Sequence, residues 1–267
     1  MSDIFNFSEG SAPLLISIPH LGSLIPSEIE PQLTPEARDS RDTDWHLDTL
    51  YEFAKSSGAS VLSARYSRYV VDLNRSPKDE NLYPGQTKTG LCPTHTFRGD
   101  ALYLDENILD DTERARRVQK YWKPYHDKLS QEIERLKAKH GAVLLWEAHS
   151  IASELPRLFE GKLPDLNIGT ADGKACAPSI LEPVEEALKG TTAFTSAING
   201  RFKGGYITRQ YGAPEANVHA IQLEMCQSTY MNESHPFDYK PEVAARVIPV
   251  VEQLVTGALG RLRLLTR

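Results

Sequence analysis

Residues 142–150, AVLLWEAHS, constrain the fold of this chain more than any other stretch. The apolar run that follows Gly141 is too short for a membrane span and reads as a strand buried within an α/β sheet. Glu147 and His149 then stand two apart, so extended backbone puts both on one face, with Ala148 and Ser150 on the other. Open α/β sheets bind ligands beyond the carboxyl ends of their strands, so a carboxylate and an imidazole at this end mark a candidate site.

With 267 residues, 40% of them hydrophobic, the chain has material for one large core, and the expectation is a single catalytic domain over 1–267. A net charge of -6 argues against a nucleic-acid footprint, and no uninterrupted apolar run nears the roughly 20 residues of a membrane helix. The amino-terminal residues lack the basic and apolar segments of a secretory signal, so cytoplasm is the expected compartment. Cys92, Cys176 and Cys226 are odd in number and far apart, which fits reduced packing cysteines better than disulfides or a zinc ribbon.

Around the organising strand, residues 13–20 (PLLISIPH) predict a first core strand ending in His20. Gly22, Pro26 and Pro31 hold a loop, and Thr34 with Pro35 opens a short helix. Asp39, Asp42 and Asp44 precede an amphipathic run through Leu47, Leu50, Tyr51 and Ala54; Asp42 or Thr43 is its expected cap and Gly58 its stop. Residues 59–64 predict a second strand and residues 68–75 (RYVVDLNR) a third, with Asp72 and Asn74 on one face and Arg75 turned off it. A guanidinium beside an amide is suited to gripping a carboxylate in two-pronged fashion.

Residues 76–108 show no period and read as a surface excursion; His95 and Arg98 within it are expected to be solvated, although either has the length to reach a site. A helix is predicted over residues 110–140, bent at Pro124, with Tyr125 and His126 packing on its buried edge. Residues 151–161 read as a loop, and in the run PDLNIGTADG the residues Asp165, Asn167 and Asp172 lack the other acids of a calcium loop. A helix over 177–188, a strand over 194–198 and a turn over 199–201 follow. In FKGGYITRQYG, Gly204 and Gly205 permit backbone to approach a ligand closely, with Thr208, Arg209 and Tyr211 beyond them. Residues 219–225 (HAIQLEM) predict the last core strand, in which Glu224 is an acid among apolar neighbours and therefore paired or functional. A terminal helix over 241–264, kinked at Pro249, carries the stripe Val243, Val247, Val250, Val251, Leu254, Ala258 and Leu262.

Read across strands, His20, His149 and a carboxylate from Asp44 or Glu147 form the set of two imidazoles and one carboxylate that holds a catalytic zinc and leaves a position open for water. Such a metal lowers the pKa of its water to about 7, and a nearby acid takes the proton; Glu224 fits that role. The same donors also suit cobalt, manganese or iron(II).

The segments IPHLG, RDTDWHLDTLY, SRYVVDLNRSP, WEAHSI, PDLNIGTADG, GGYITRQYG and AIQLEM, in that order, resemble the N-formylglutamate amidohydrolase (N-formylglutamate deformylase) family. The resemblance implies hydrolysis of N-formyl-L-glutamate to formate and L-glutamate, a late step in one route of histidine breakdown. It also implies distant kinship with zinc carboxypeptidases and aspartoacylases, hence a three-layer α/β/α fold with a mixed, mostly parallel central sheet. Carried over residue by residue, it makes His20 and His149 metal ligands, Asn74 and Arg75 the carboxylate clamp and Glu224 the general base. The relatives' His-x-x-Glu pattern is broken here, since Ser23 stands three residues after His20. Asp44 is then the first choice of carboxylate ligand, with Glu147 in reserve or orienting a ligand histidine.

A substrate with two carboxylates needs two cationic anchors, for which Arg75 and Arg209 are the pair; Gly205 lets a mobile loop carrying Arg209 close over it. Arg68 helps to hold the oxyanion, and a tight pocket rejects acyl groups larger than formyl. Two other readings stand beside this one. An aspartoacylase-like N-acyl-amino-acid amidohydrolase of different preference keeps the clamp and changes the pocket, whereas a non-catalytic binder of acidic metabolites has no use for a buried Glu224. The expected partner is a small-molecule substrate, with no nucleic acid or membrane, and the chain itself is expected to be a monomer or small homo-oligomer.

Overall fold

The computed structural model describes residues 4–80, 89–105 and 108–265. Strands β1 (Phe5–Ser8), β2 (Leu14–Ile18), β3 (Ser60–Ala64), β4 (Val143–Ile151), β5 (Leu166–Gly169), β6 (Ser196–Ile198) and β7 (Val218–Cys226) form one sheet in the order β1-β3-β2-β4-β7-β5-β6. β2 runs parallel to β3 and β4, and β4 to β7, while β1 and β5 pair antiparallel with β3 and β7. From β2 the chain moves outward to β3, then returns to place β4 on the other side of β2. The crevice between β2 and β4 is therefore a topological switch point, where such sheets open a ligand site.

The helices are α1 (Pro35–Arg38), α2 (Leu47–Leu50), α3 (Asp111–Arg117), α4 (Lys123–His140), α5 (Pro178–Gly190), α6 (Tyr206–Tyr211) and α7 (Pro241–Leu265). Alternation along β4 sends Val143 and Leu145 into a core with Leu129, Ile133 and Leu136 of α4. Leu144 and Trp146 point the other way, into a core with Val184 of α5 and Val251 and Leu254 of α7. Helices thus cover both faces, giving three layers, and a strand covered on both faces is apolar throughout rather than alternating. α7 is long and apolar enough to cross a membrane by length and composition, yet its stripe from Ala244 to Leu262 is spent inside this core. Val243 and Val250, expected on that stripe, are only half-buried.

Residues 68–75 do not form a strand. The Val70 N–H donates to the Ser67 carbonyl, that of Asn74 to the Asp72 carboxylate and that of Arg75 to the Asp72 carbonyl, so local turns take the donors a ladder would use. Neither Asp42 nor Thr43 caps α2, whose first turn follows His46 in left-handed conformation (φ 61°); Asp42 instead accepts from the Phe97 N–H. The 76–108 excursion, of which 81–88 and 106–107 lie outside the described residues, is not confined to the surface, since Leu91, Cys92, Leu102 and Tyr103 are buried beside α4. The helix expected over 110–140 is broken by a π turn at Val118–Trp122, just before Pro124, whose missing N–H ends the regular ladder. The GGYITRQYG run holds α6 rather than a loop. β1 and β5 were not legible, because four residues in turn-forming surroundings are too few to display a period. All three cysteines are free and buried.

Leu144 is fully buried in β4 between β2 and β7. Leu144→Ala is expected to lower unfolding free energy by about 2–5 kcal/mol in urea titrations, as cavity-forming core truncations do.

Candidate metal centre and active site

Three chain segments meet at the switch point. His20 stands in the turn after β2, His149 near the end of β4, and Asp44 in the loop before α2, where its N–H donates to the His20 carbonyl at 2.9 Å. The two rings approach with centroids 4.9 Å apart. One atom from each of His20, Asp44 and His149 lies within 4.8 Å of the others, and all three residues are buried. Asp44 Oδ2 sits 3.3 Å from His149 Nδ1 and 3.7 Å from His20 Nδ1, so both Nδ1 atoms face one carboxylate.

The far sides of the rings are held. His20 Nε2 contacts Asp72 Oδ1 at 2.7 Å, and His149 Nε2 contacts Asn74 Nδ2 at 3.0 Å and Glu147 Oε2 at 3.2 Å. Partners on Nε2 orient an imidazole so that Nδ1 is presented to a metal. Glu147, which shares a face of β4 with His149 as the alternation requires, stands behind the ring rather than in the cluster. Asp72 is a member of the site that the sequence reading did not assign. Its two-residue spacing from Asn74 was the available signal, and turns rather than a strand bring it to His20.

Burial, aided by the charge of Arg68, lowers His20 to about 4, which keeps its ring neutral and able to ligate. For His149 burial opposes the charged form, but Asp44 and Glu147 outweigh it and raise the ring to about 10. The surrounding carboxylates therefore favour a positive charge at this point. Burial pushes Glu224 up to about 7 against the lowering charge of His149. Asp72 is held well below the usual range, because Arg68 and His20 overcome its burial. Asp44 Oδ1 is buried with no hydrogen-bond partner among the described residues, as a carboxylate oxygen reserved for an ion would be. Two imidazoles, one carboxylate and a local demand for positive charge fit a divalent metal.

Glu224 reaches the cluster from β7, where it pairs in register with His149, and Gln222 Nε2 donates to its Oε2 at 3.5 Å. Arg68 lies over Phe97, ion-paired with Asp72 at 2.6 Å and 3.9 Å from Asp44. Asn74 is pinned through its side-chain oxygen, which accepts the Ile207 N–H at 2.8 Å. A Cβ on Gly205 would stand 2.3 Å from Asn74 Nδ2, so this glycine serves the approach of α6 to Asn74. Arg75 is turned toward Thr89, donating to its carbonyl at 3.1 Å and its hydroxyl at 2.6 Å. Arg209 lies on α6 with Nε bonded to the Gly204 carbonyl at 2.9 Å. His95 is exposed and bonds to Thr94. Asp165, Asn167 and Asp172 pair separately, with Thr195, Pro164 and Lys203, and make no calcium loop.

A family model for N-formylglutamate amidohydrolase matches residues 12–231. The chain belongs to the N-formylglutamate amidohydrolase family. It is 45% identical over 260 residues to N-formylglutamate deformylase of Pseudomonas putida, covering 97% of each chain. It is 46% identical over the same length and share to N-formylglutamate deformylase of Pseudomonas aeruginosa. Among solved structures it is similar to the N-formylglutamate amidohydrolase of Ralstonia eutropha JMP134, at 25% identity and a TM-score of 0.79, covering 98% of this chain and 97% of that one. A protein of Agrobacterium tumefaciens, at 18% identity, shares the fold with a TM-score of 0.75. As an amidohydrolase of this family, the chain cleaves an amide, and its buried His20, Asp44 and His149 are a group able to hold a metal.

Two substitutions test the geometry. Asp72→Asn is expected to weaken metal binding by about 10–100-fold, as loss of a partner behind a ligand histidine does; competition with a zinc indicator would measure it. Gly205→Ala is expected to cost about 1–3 kcal/mol through overpacking against Asn74, read as a lower melting temperature together with reduced turnover.

Proposed function

We propose that this amidohydrolase cleaves the formamide C–N bond of N-formyl-L-glutamate to give formate and L-glutamate, as one catalytic domain spanning residues 1–267. The observation that carries the reading is the meeting of two neutralisable imidazoles, one carboxylate and Glu224 in a chain close in sequence to two N-formylglutamate deformylases. His20, Asp44 and His149 would hold one divalent ion, zinc first, with cobalt, manganese or iron(II) as alternatives for the same donors. When bound, such an ion supplies a Lewis acid that polarises a carbonyl and acidifies a water.

The chain's own groups do the rest. Glu224, raised by burial toward neutrality, takes a proton from the attacking water as oxygen bonds to the formyl carbon, and returns it to the nitrogen as the C–N bond breaks. Arg68, fixed by Asp72, presents positive charge to the developing oxyanion. Asn74 and Arg75 take one substrate carboxylate and Arg209 the other, with Arg75 leaving Thr89 to do so. Glu147 keeps His149 oriented. Hydrolysis of the formyl group in histidine breakdown, in the cytoplasm, is the setting this reading suggests.

Glu224→Gln is expected to retain metal while lowering turnover by about 10²–10⁴-fold; metal analysis and a formate-release assay on the same sample check both halves. Arg75→Lys is expected to raise the Michaelis constant for formylglutamate, since an ammonium lacks the two-pronged grip. Formate release that persists after exhaustive chelation would remove the metal from the reading.

A further inference from the structure

Three successive carbonyls tie down the turn that carries Asn74 and Arg75. The Leu73 carbonyl accepts from His126 Nε2 at 2.9 Å, the Asn74 carbonyl from the Tyr206 N–H at 3.3 Å, and the Arg75 carbonyl from Trp122 Nε1 at 3.0 Å. The two aromatic donors come from the junction of the π turn with α4, and neither has a part in the bond-breaking steps. A π turn carries one residue more than a regular turn, and such insertions recur at functional sites.

Trp122 and His126 stand four residues apart and stack, with ring centroids 3.6 Å apart and planes inclined by 16°. A carbonyl only accepts, so the proton of the His126 ring sits on Nε2, and Nδ1 takes the Tyr211 hydroxyl at 2.9 Å. Burial lowers this ring to about 4, which keeps it neutral and in that one tautomer. Tyr211 closes α6, the helix that carries Arg209 and whose Ile207 N–H holds the Asn74 side chain. Packing alone asks only that each buried ring N–H find some acceptor. Here both acceptors are the carbonyls of the residues on either side of Asn74, so the stack restrains the chain before and after that side chain.

We propose that the stacked Trp122–His126 pair is a positioning element of the substrate clamp, holding Asn74 and Arg75 in the direction from which they meet a substrate carboxylate. The inference rests on the reading of Asn74 and Arg75 as that clamp. The need for support is plain at Asn74, whose Nδ2 lies 3.0 Å from His149 Nε2, so a shift of this turn reaches the ligand histidine as well as the carboxylate. Through Tyr211 the same pair is joined to α6, and the segments bearing Arg75 and Arg209 are thereby set against one another. Groups that fix such geometry act on binding without touching the substrate.

The test is the double variant W122F/H126F, which keeps two stacked rings and removes both N–H donors, with H126F and H126Q as a pair in which glutamine restores a donor near Nε2. Each is loaded with zinc and assayed for the Michaelis constant and turnover with N-formyl-L-glutamate. Two competitors are titrated against it: N-formyl-L-norvaline, which lacks the side-chain carboxylate, and N-formyl-γ-aminobutyrate, which lacks the α-carboxylate. W122F/H126F is expected to raise the Michaelis constant by about tenfold, the scale of two lost neutral hydrogen bonds, with turnover falling less. It is expected to weaken inhibition by one competitor only, the one that keeps the carboxylate held by Asn74 and Arg75. H126Q should stand closer to the wild type than H126F. Partial unfolding does not imitate this pattern, because a Michaelis constant does not depend on the fraction of enzyme that is folded. An unchanged constant in W122F/H126F, or equal weakening of both competitors, overturns the positioning role. R75K measured alongside separates the two readings: if it raises the constant while W122F/H126F does not, the aromatic pair alone is ruled out, and if it leaves the constant unchanged the clamp itself is, and the pair's role with it.

Discussion

The Asp44 carboxylate, shared between the Nδ1 sides of two imidazoles, is the interaction on which the rest of the site depends. Asp72, Glu147 and Glu224 crowd the same small volume, each less than a tenth exposed. Burying so many carboxylates is unfavourable unless each has a partner. Arg68 neutralises Asp72, which also holds the His20 ring at 2.7 Å, while Asp44, Glu147 and Glu224 all bear on His149. A divalent ion held by His20, Asp44 and His149 would answer the same demand with more charge and at a fixed point.

That arrangement places strict requirements on the scaffold. β2, β4 and β7 are adjacent parallel strands, so their carboxyl ends deliver His20, His149 and Glu224 to one rim. The register sets His149 opposite Glu224, and the backbone bond from Asp44 to His20 fixes the third corner. Behind the rim, close packing on both faces of β4 leaves its end little freedom to shift. The turns at residues 68–75 complete the arrangement. A regular strand there would put Asp72 and Asn74 side by side on one face and Arg75 on the other, whereas the turn lets Asp72 and Asn74 each support a different histidine.

Much of this was legible before any coordinates. The apolar run ending in Glu147 and His149 announces a core strand with a functional end, and Glu224 stands out because a carboxylate in an apolar strand requires a reason. Residue chemistry and family likeness bring together His20, His149 and a carboxylate from Asp44 or Glu147 as a candidate set. The clamp is less readable: Arg75 and Arg209 were assigned from their type, yet their guanidinium groups are engaged with Thr89 and Gly204. Gly205 was read as making room for a ligand, and the atom it makes room for is in Asn74.

The sequence by itself determined the central strands, the covering helices and the residue types able to bind a metal, because hydrophobic period and side-chain chemistry are local properties. Only the tertiary structure decided that Asp44 stands between the histidines while Glu147 stands behind one of them, that Asp72 belongs to the site, and that Trp122 and His126 hold the carbonyls on either side of Asn74. Those relations join residues up to about a hundred positions apart through strand order and hydrogen bonding, and no spacing along the chain encodes which face of a ring a distant carboxylate will meet.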